Sequence, residues 1–150
     1  MAQEIAKQMV EEFLGDLASD SPGPGSGSAV AVVAAKAAAL VAKVCRLTIG
    51  KSEYVEVESE MLRILGYSDA LRAALLFYAE ADEKVFLEVL ASKGSAASLR
   101  EAAASVAEIA RMAEEIQYMA KIVVGKGNKN FFEFLWCGPG CDSVEAGHYA

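Results

Sequence analysis

The stretch that decides the fold is Ser21-Pro-Gly-Pro-Gly-Ser-Gly-Ser28, which leads directly into a run of small apolar residues at positions 29–45. Two prolines, three glycines and three serines occur together in it. No helix or strand tolerates that mixture, so the stretch predicts a loop with unusual backbone angles. The alanine-rich run that follows predicts a helix, with Ser26 or Ser28 as its N-cap.

A glycine-rich loop at the start of a helix offers free backbone N–H groups and the positive end of the helix dipole. We therefore expect the loop to bind a ligand through Pro24, Gly25, Ser26, Gly27 and Ser28. The N–H groups of the last four would hold an anionic or carbonyl group. The alternative is that the loop is only a tight connection between two helices.

Length and charge narrow the class of protein. A chain of 150 residues predicts one domain with a sizeable core, in which residues 131–150 form an irregular tail. A net charge of -7 argues against general binding of nucleic acid.

The apolar run is shorter than the roughly 20 residues that span a membrane and contains Lys36, and the N-terminus has no apolar signal segment. We expect a cytoplasmic protein that binds no membrane.

Three cations lie along the predicted second helix. Lys36, Lys43 and Arg46 fall within an arc of about 80° at the helical repeat. They predict either a solvated stripe or a cationic wall beside the loop that would bind a carboxylate-bearing ligand.

Asp82 interrupts an apolar stripe. The stripe follows the helical spacing of three and four residues and consists of Leu71, Leu75, Tyr78, Phe86 and Val89. An unpaired buried carboxylate is costly, so Asp82 should be paired, protonated or part of a site. It is our candidate proton-transfer group, and the alternative is an ion pair between helices.

The rest of the chain predicts further helices. The first has Ile5, Met9, Phe13 and Leu17 on one face; residues 53–91 form one long helix or two stacked ones, with Ser68 as a second start. Ser98-Leu-Arg-Glu101 predicts a capping box, and Gly125 or Gly127 ends the helix that follows. A seam with alternating steps of three and four runs along that helix through Leu99, Ala102, Val106, Ile109, Ala113, Ile116, Ala120 and Val123.

These elements predict an all-α fold, an up-and-down bundle of four long helices. The second helix is too apolar for a bundle surface, so we expect a homodimer that buries helical faces.

Several motifs together resemble the family of formiminotransferase-cyclodeaminases and methenyltetrahydrofolate cyclohydrolases. They are Phe13-Leu14-x-x-Leu17-Ala18-Ser19, the loop Ser21-Pro-x-Pro-Gly-x-Gly-Ser28, Leu47-Thr-Ile-Gly-Lys51 with Tyr54, the acidic run Glu80-Ala-Asp82 before Phe86, and Gly127-Asn-x-Asn130. The resemblance covers roughly residues 5–130. The Ser-Asp pair and the closing helix of the family are absent after Asn130, so the chain looks C-terminally shortened.

The resemblance implies a folate-dependent one-carbon enzyme. Such an enzyme either cyclises formiminotetrahydrofolate with loss of ammonia or hydrolyses methenyltetrahydrofolate. On this reading Asp82 is catalytic, the loop and Asn128 bind the substrate, and Lys36, Lys43 and Arg46 bind the glutamate tail. Asn128 also fits a simple turn. The alternative function is a non-catalytic helical binding or dimerisation module that kept the fold and lost the site.

We expect no metal. Cys137, Cys141 and His148 form only a weak cluster, since a zinc site needs four ligands.

Overall fold

The computed structural model describes residues 5–130. A 3₁₀ turn at Ile5–Lys7 is followed by α1 (Val10–Leu17), α2 (Ser26–Thr48), a second 3₁₀ segment (Ser52–Val57), α3 (Glu58–Ala91) and α4 (Ala96–Lys126). The described part of the chain contains no strand, which confirms the all-α prediction. The predicted tail at residues 131–150, with Cys137, Cys141 and His148, lies outside the described residues.

The central element is α2, which packs against both α3 and α4. Its inward face is built largely from alanines, and these are Ala31, Ala34, Ala35, Ala38 and Ala42. Side chains this small let the helix backbones approach closely. By length and composition α2 could also cross a membrane, but half of its most apolar window is buried within the chain. Burial raises the pKa of the Cys45 thiol on this face to about 11, so the thiol is protonated at neutral pH.

Of the two predicted arrangements of residues 53–91, the structure has the single long helix, which begins at Glu58 after the 3₁₀ segment, and no second start at Ser68. α3 runs unbroken through Gly66. Ser68 is fully buried in the helix interior, and its hydroxyl lies 3.7 Å from the sulfur of Met119 on α4. Burial of this face against α2 and α4 outweighs the cost of about 1 kcal/mol for one glycine in the helix.

The turn between α3 and α4 corrects the predicted capping box. Lys93 and Gly94 adopt positive φ angles of 53° and 74°, which reverse the chain. The N-cap is Ser95, whose hydroxyl accepts a hydrogen bond from the N–H of Ser98 at 3.2 Å. Ser98 is therefore inside the first turn of α4. At the other end of α4, the C-cap is Gly127, which is one of the two glycines predicted for it.

The predicted seam along α4 holds only in its second half. Ile109, Ile116 and Val123 are buried, and Met112 and Met119 join them. Leu99 and Val106 are about half exposed. The reason is the position of α2, whose first turn meets α3 near Ala79, so the α3–α4 hairpin extends beyond the end of α2.

The first predicted helix is wrong in length, so the bundle has three long helices and a short one. Residue Met9 is extended and 67% exposed, and α1 begins only at Val10. The carboxylate of Glu12 accepts a hydrogen bond of 3.1 Å from the backbone N–H of Met9, which stabilises this start of the helix. Ile5 and Phe13 are buried as expected.

We predict that truncating Leu75, from the apolar stripe around Asp82, and Leu99, from the seam along α4, changes the free energy of unfolding by very different amounts. Leu75→Ala should lower the free energy of unfolding by about 2–5 kcal/mol, because Leu75 is fully buried. Leu99→Ala should change it by less than about 0.5 kcal/mol, since Leu99 is 51% exposed. Urea denaturation followed by circular dichroism measures both, and equal losses would contradict this packing.

Candidate functional site

The first turn of α2 lies directly against Asp82 of α3. The closest approach is at Gly27, where an added Cβ atom would collide with the carbon and both oxygens of the Asp82 carboxyl group. The structure therefore brings together the glycine-rich loop and the candidate proton-transfer group, which are 55 residues apart in the sequence. Only glycine permits this approach, because any side chain would occupy the position of the carboxylate.

The start of α2 corrects the predicted N-cap. Gly25 is the N-cap residue, with extended angles of -98° and -171° and no side-chain cap. Ser26 and Ser28 lie inside the helix. The first bond of the helix runs from the N–H of Ala29 to the oxygen of Gly25 at 3.1 Å. The N–H groups of Ser26, Gly27 and Ser28 consequently have no acceptor within the helix, as the ligand-binding prediction requires.

A second carboxylate contacts the same loop. A Cβ atom on Gly23 would lie 2.7 Å from Oε1 of Glu83, the residue next to Asp82. Asp82 is only 9% exposed, and neither acid forms a hydrogen bond or an ion pair within residues 5–130. Two neighbouring carboxylates with no cationic partner there give the site a negative charge. Sequence reasoning missed Glu83, because nothing in the sequence places Gly23 against it.

The three predicted cations lie away from this turn. At 1.5 Å per residue, Lys36, Lys43 and Arg46 are about 14, 24 and 29 Å along α2 from Gly27. All three are on its exposed face. Arg46 forms an ion pair with Asp69 at 2.5 Å. The structure does not bring these cations together with the loop, which favours the interpretation of a solvated stripe.

Asn128 lies at the opposite end of α2. Its backbone N–H donates to Thr48 Oγ1 and its side-chain N–H to the oxygen of Leu47, both at 2.9 Å. Its Oδ1 accepts the N–H of Asn130 at 3.1 Å. These bonds join the end of α4 to the end of α2, so the geometry agrees with the turn interpretation of this motif.

A cavity lies elsewhere, between α3 and α4. It has a volume of about 550 Å³ and an apolar floor that includes Ile64, Met119 and Ile122. On its rim Tyr67 donates to Glu115 at 2.5 Å, and this hydrogen bond raises the pKa of Tyr67. Because much of its polar rim is already paired, we place the candidate site at the α2–α3 contact despite the size of this cavity.

Fold and site together define an all-α protein whose central helix begins in a glycine-rich turn packed on a buried carboxylate. Residues 9–133 match the family model described as formiminotransferase-cyclodeaminase, and the chain belongs to this family. The resemblance predicted from the motifs is thereby confirmed.

Two relatives show how far the similarity extends. The chain is 37% identical over 138 residues to a methenyltetrahydrofolate cyclohydrolase of Methylorubrum extorquens, across 82% of this chain and 66% of that protein. It superposes on a formiminotetrahydrofolate cyclodeaminase from Thermotoga maritima with a TM-score of 0.75 and 31% identity, across 85% of this chain and 67% of that one. The chain thus spans about two thirds of the length of these relatives.

We predict that Gly27 is intolerant of even one methyl group. Gly27→Ala should lower the free energy of unfolding by about 1–3 kcal/mol, because the new Cβ atom displaces the Asp82 carboxylate. Gly66→Ala is the control, since a Cβ atom there meets nothing within 4 Å and Gly66 lies in the interior of α3, away from any helix cap. Urea titrations of both variants measure the difference.

The double variant Gly27→Ala with Asp82→Ala tests the cause. Removal of the carboxylate should recover most of the stability lost at Gly27. If it recovers none, the collision with Asp82 is not the reason for the loss.

Proposed function

We propose that this protein is a folate-dependent one-carbon enzyme that acts where α2 begins against α3. It would cyclise formiminotetrahydrofolate with loss of ammonia or hydrolyse methenyltetrahydrofolate, the activities for which its two relatives are named. The observation that carries the proposal is the contact of Gly27 with Asp82. The contact places a carboxyl group that could transfer protons beside the N–H groups of Ser26, Gly27 and Ser28, which have no acceptor within the helix.

The charge of the site suggests which part of the substrate lies there. The one-carbon unit of both substrates is an amidine-like group, positively charged in the methenyl form and when the formimino group is protonated. Asp82 and Glu83 complement that positive charge. We therefore place the one-carbon unit at the loop, and the N–H groups of Ser26, Gly27 and Ser28 would hold a carbonyl oxygen of the pterin. The glutamate tail would extend away from the carboxylates.

Asp82 would transfer protons in either reaction. In the cyclisation it accepts the proton of the attacking arylamine nitrogen, which links the pterin to the benzoyl group, and passes it to the departing ammonia. In the hydrolysis it accepts a proton from the attacking water. The alternative role for Asp82, an ion pair between helices, finds no support, because Asp82 has no cationic partner within the described residues.

We predict that Asp82→Asn lowers turnover about 10²- to 10⁴-fold, since the amide keeps the size but cannot accept the proton. The measurement follows the absorbance of methenyltetrahydrofolate, which appears in the cyclisation and disappears in the hydrolysis. Asp69→Asn is the control, because Asp69 lies on the same helix about 20 Å away and belongs to an ion pair. Equal turnover in the parent protein and Asp82→Asn would refute the role of Asp82, and no turnover in the parent would refute the function.

We also propose that the protein is a homodimer, formed through the outer face of α2. Five apolar residues along this face are spaced by alternating steps of three and four, with one position left out between the last two. They are Val30, Val33, Ala37, Leu40 and Leu47. Four of them are exposed large apolar residues. Antiparallel packing of two copies would oppose the helix dipoles. A cytoplasmic location, the absence of a metal and the absence of nucleic-acid or membrane binding stay predictions from the sequence.

We predict that Leu40→Asp dissociates the dimer, because it puts a charge at the centre of this face. Leu62→Asp is the control, since Leu40 and Leu62 are both 53% exposed and Leu62 lies on α3. Sedimentation equilibrium should give the monomer mass for Leu40→Asp and twice that mass for the parent and the control. A parent protein that is monomeric at all concentrations would contradict the dimer.

A further inference from the structure

The hydroxyl group of Ser28 forms a buried polar contact between α2 and α3. Its Oγ atom donates to the backbone oxygen of Ala79 at 2.7 Å. Both residues are fully buried. Ser28 lies in the first turn of α2, and its hydroxyl proton joins the neighbouring helix.

The two ends of this hydrogen bond lie beside the two groups of the candidate site. Ser28 follows Gly27 directly, and Ala79 is one helical turn before Asp82. A short hydrogen bond constrains both distance and direction. The apolar contacts around it, such as those of Ala31 and Leu75, are not directional and would permit small shifts of one helix along the other.

Loss of this bond should leave the fold intact. The oxygen of Ala79 is also the acceptor for the N–H of Glu83 in the regular pattern of α3, so it keeps a partner without Ser28. Alanine in place of Ser28 removes one donor and leaves no buried acceptor unpaired. The effect of the substitution should therefore appear in alignment more than in stability.

We propose that Ser28 is a positioning residue that holds the first turn of α2 in the register that places Gly27 against Asp82. It acts through Asp82 and the N–H groups of the turn and contacts no substrate with its hydroxyl group. The kinetic part of this inference rests on the proposed function.

The first test uses the structure alone. Ser28→Ala should shift the carboxyl ¹³C resonance of Asp82, which lies on the neighbouring helix, in NMR spectra of the full chain. Ser68→Ala is the matched control, because Ser68 is an equally buried serine about 21 Å along α3 from Asp82. An unchanged Asp82 resonance in Ser28→Ala would overturn the proposal, whatever the activity of the protein.

The second test is a kinetic cycle. Ser28→Ala should lower kcat about 10- to 100-fold with little change in KM, the effect expected of a small misalignment. In the Asp82→Asn background the same change should have almost no further effect on kcat, because the group that Ser28 aligns is gone. Additive losses in the two backgrounds would overturn the proposal. If the parent has no turnover, the proposed function fails, and the NMR result alone decides on Ser28.

Discussion

The structure depends on how closely the first turn of α2 approaches α3. Small residues make this approach possible: alanines line the inward face of α2, and Gly27 removes the last side chain between the backbone and Asp82. The hydrogen bond from the Ser28 hydroxyl group to the backbone oxygen of Ala79 joins α2 and α3 at the same contact. Because α2 begins at this point, the α3–α4 hairpin extends beyond it, and Leu99 and Val106 are about half exposed there.

The same contact sets the electrostatics of the site. A helix start favours negative charge, and the sequence led us to expect an anionic or carbonyl group of the ligand at the loop. The structure places the protein's own carboxylates, those of Asp82 and Glu83, beside Gly27 and Gly23. The site is then complementary to a cationic group, while Lys36, Lys43 and Arg46 lie farther along α2. Of the two groups expected at the loop, these carboxylates favour a carbonyl oxygen over an anion.

The helical character of the chain and the approximate ends of its long helices could be predicted, because both follow from local sequence patterns. The C-cap at Gly127, one of the two predicted glycines, needed only a residue type with known backbone preferences. The caps at Ser26, Ser28 and Ser98 failed, since several serines within a few residues compete for one role and packing decides between them. Asp82 could be singled out as a polar residue in an apolar stripe. Its contact with Gly27, and that of Glu83 with Gly23, joins residues more than 50 positions apart, and no local pattern encodes such a pair.

The central claim is that the ligand binds where Gly27 meets Asp82 and not in the cavity between α3 and α4. Amide NMR mapping with a chemically stable formylated tetrahydrofolate tests it most directly. The account predicts that the largest shifts on titration occur at Ser26, Gly27, Ser28 and Asp82, with little change at Tyr67 and Tyr118 on the cavity rim. Saturable shifts confined to Tyr67, Tyr118 and their neighbours would contradict it.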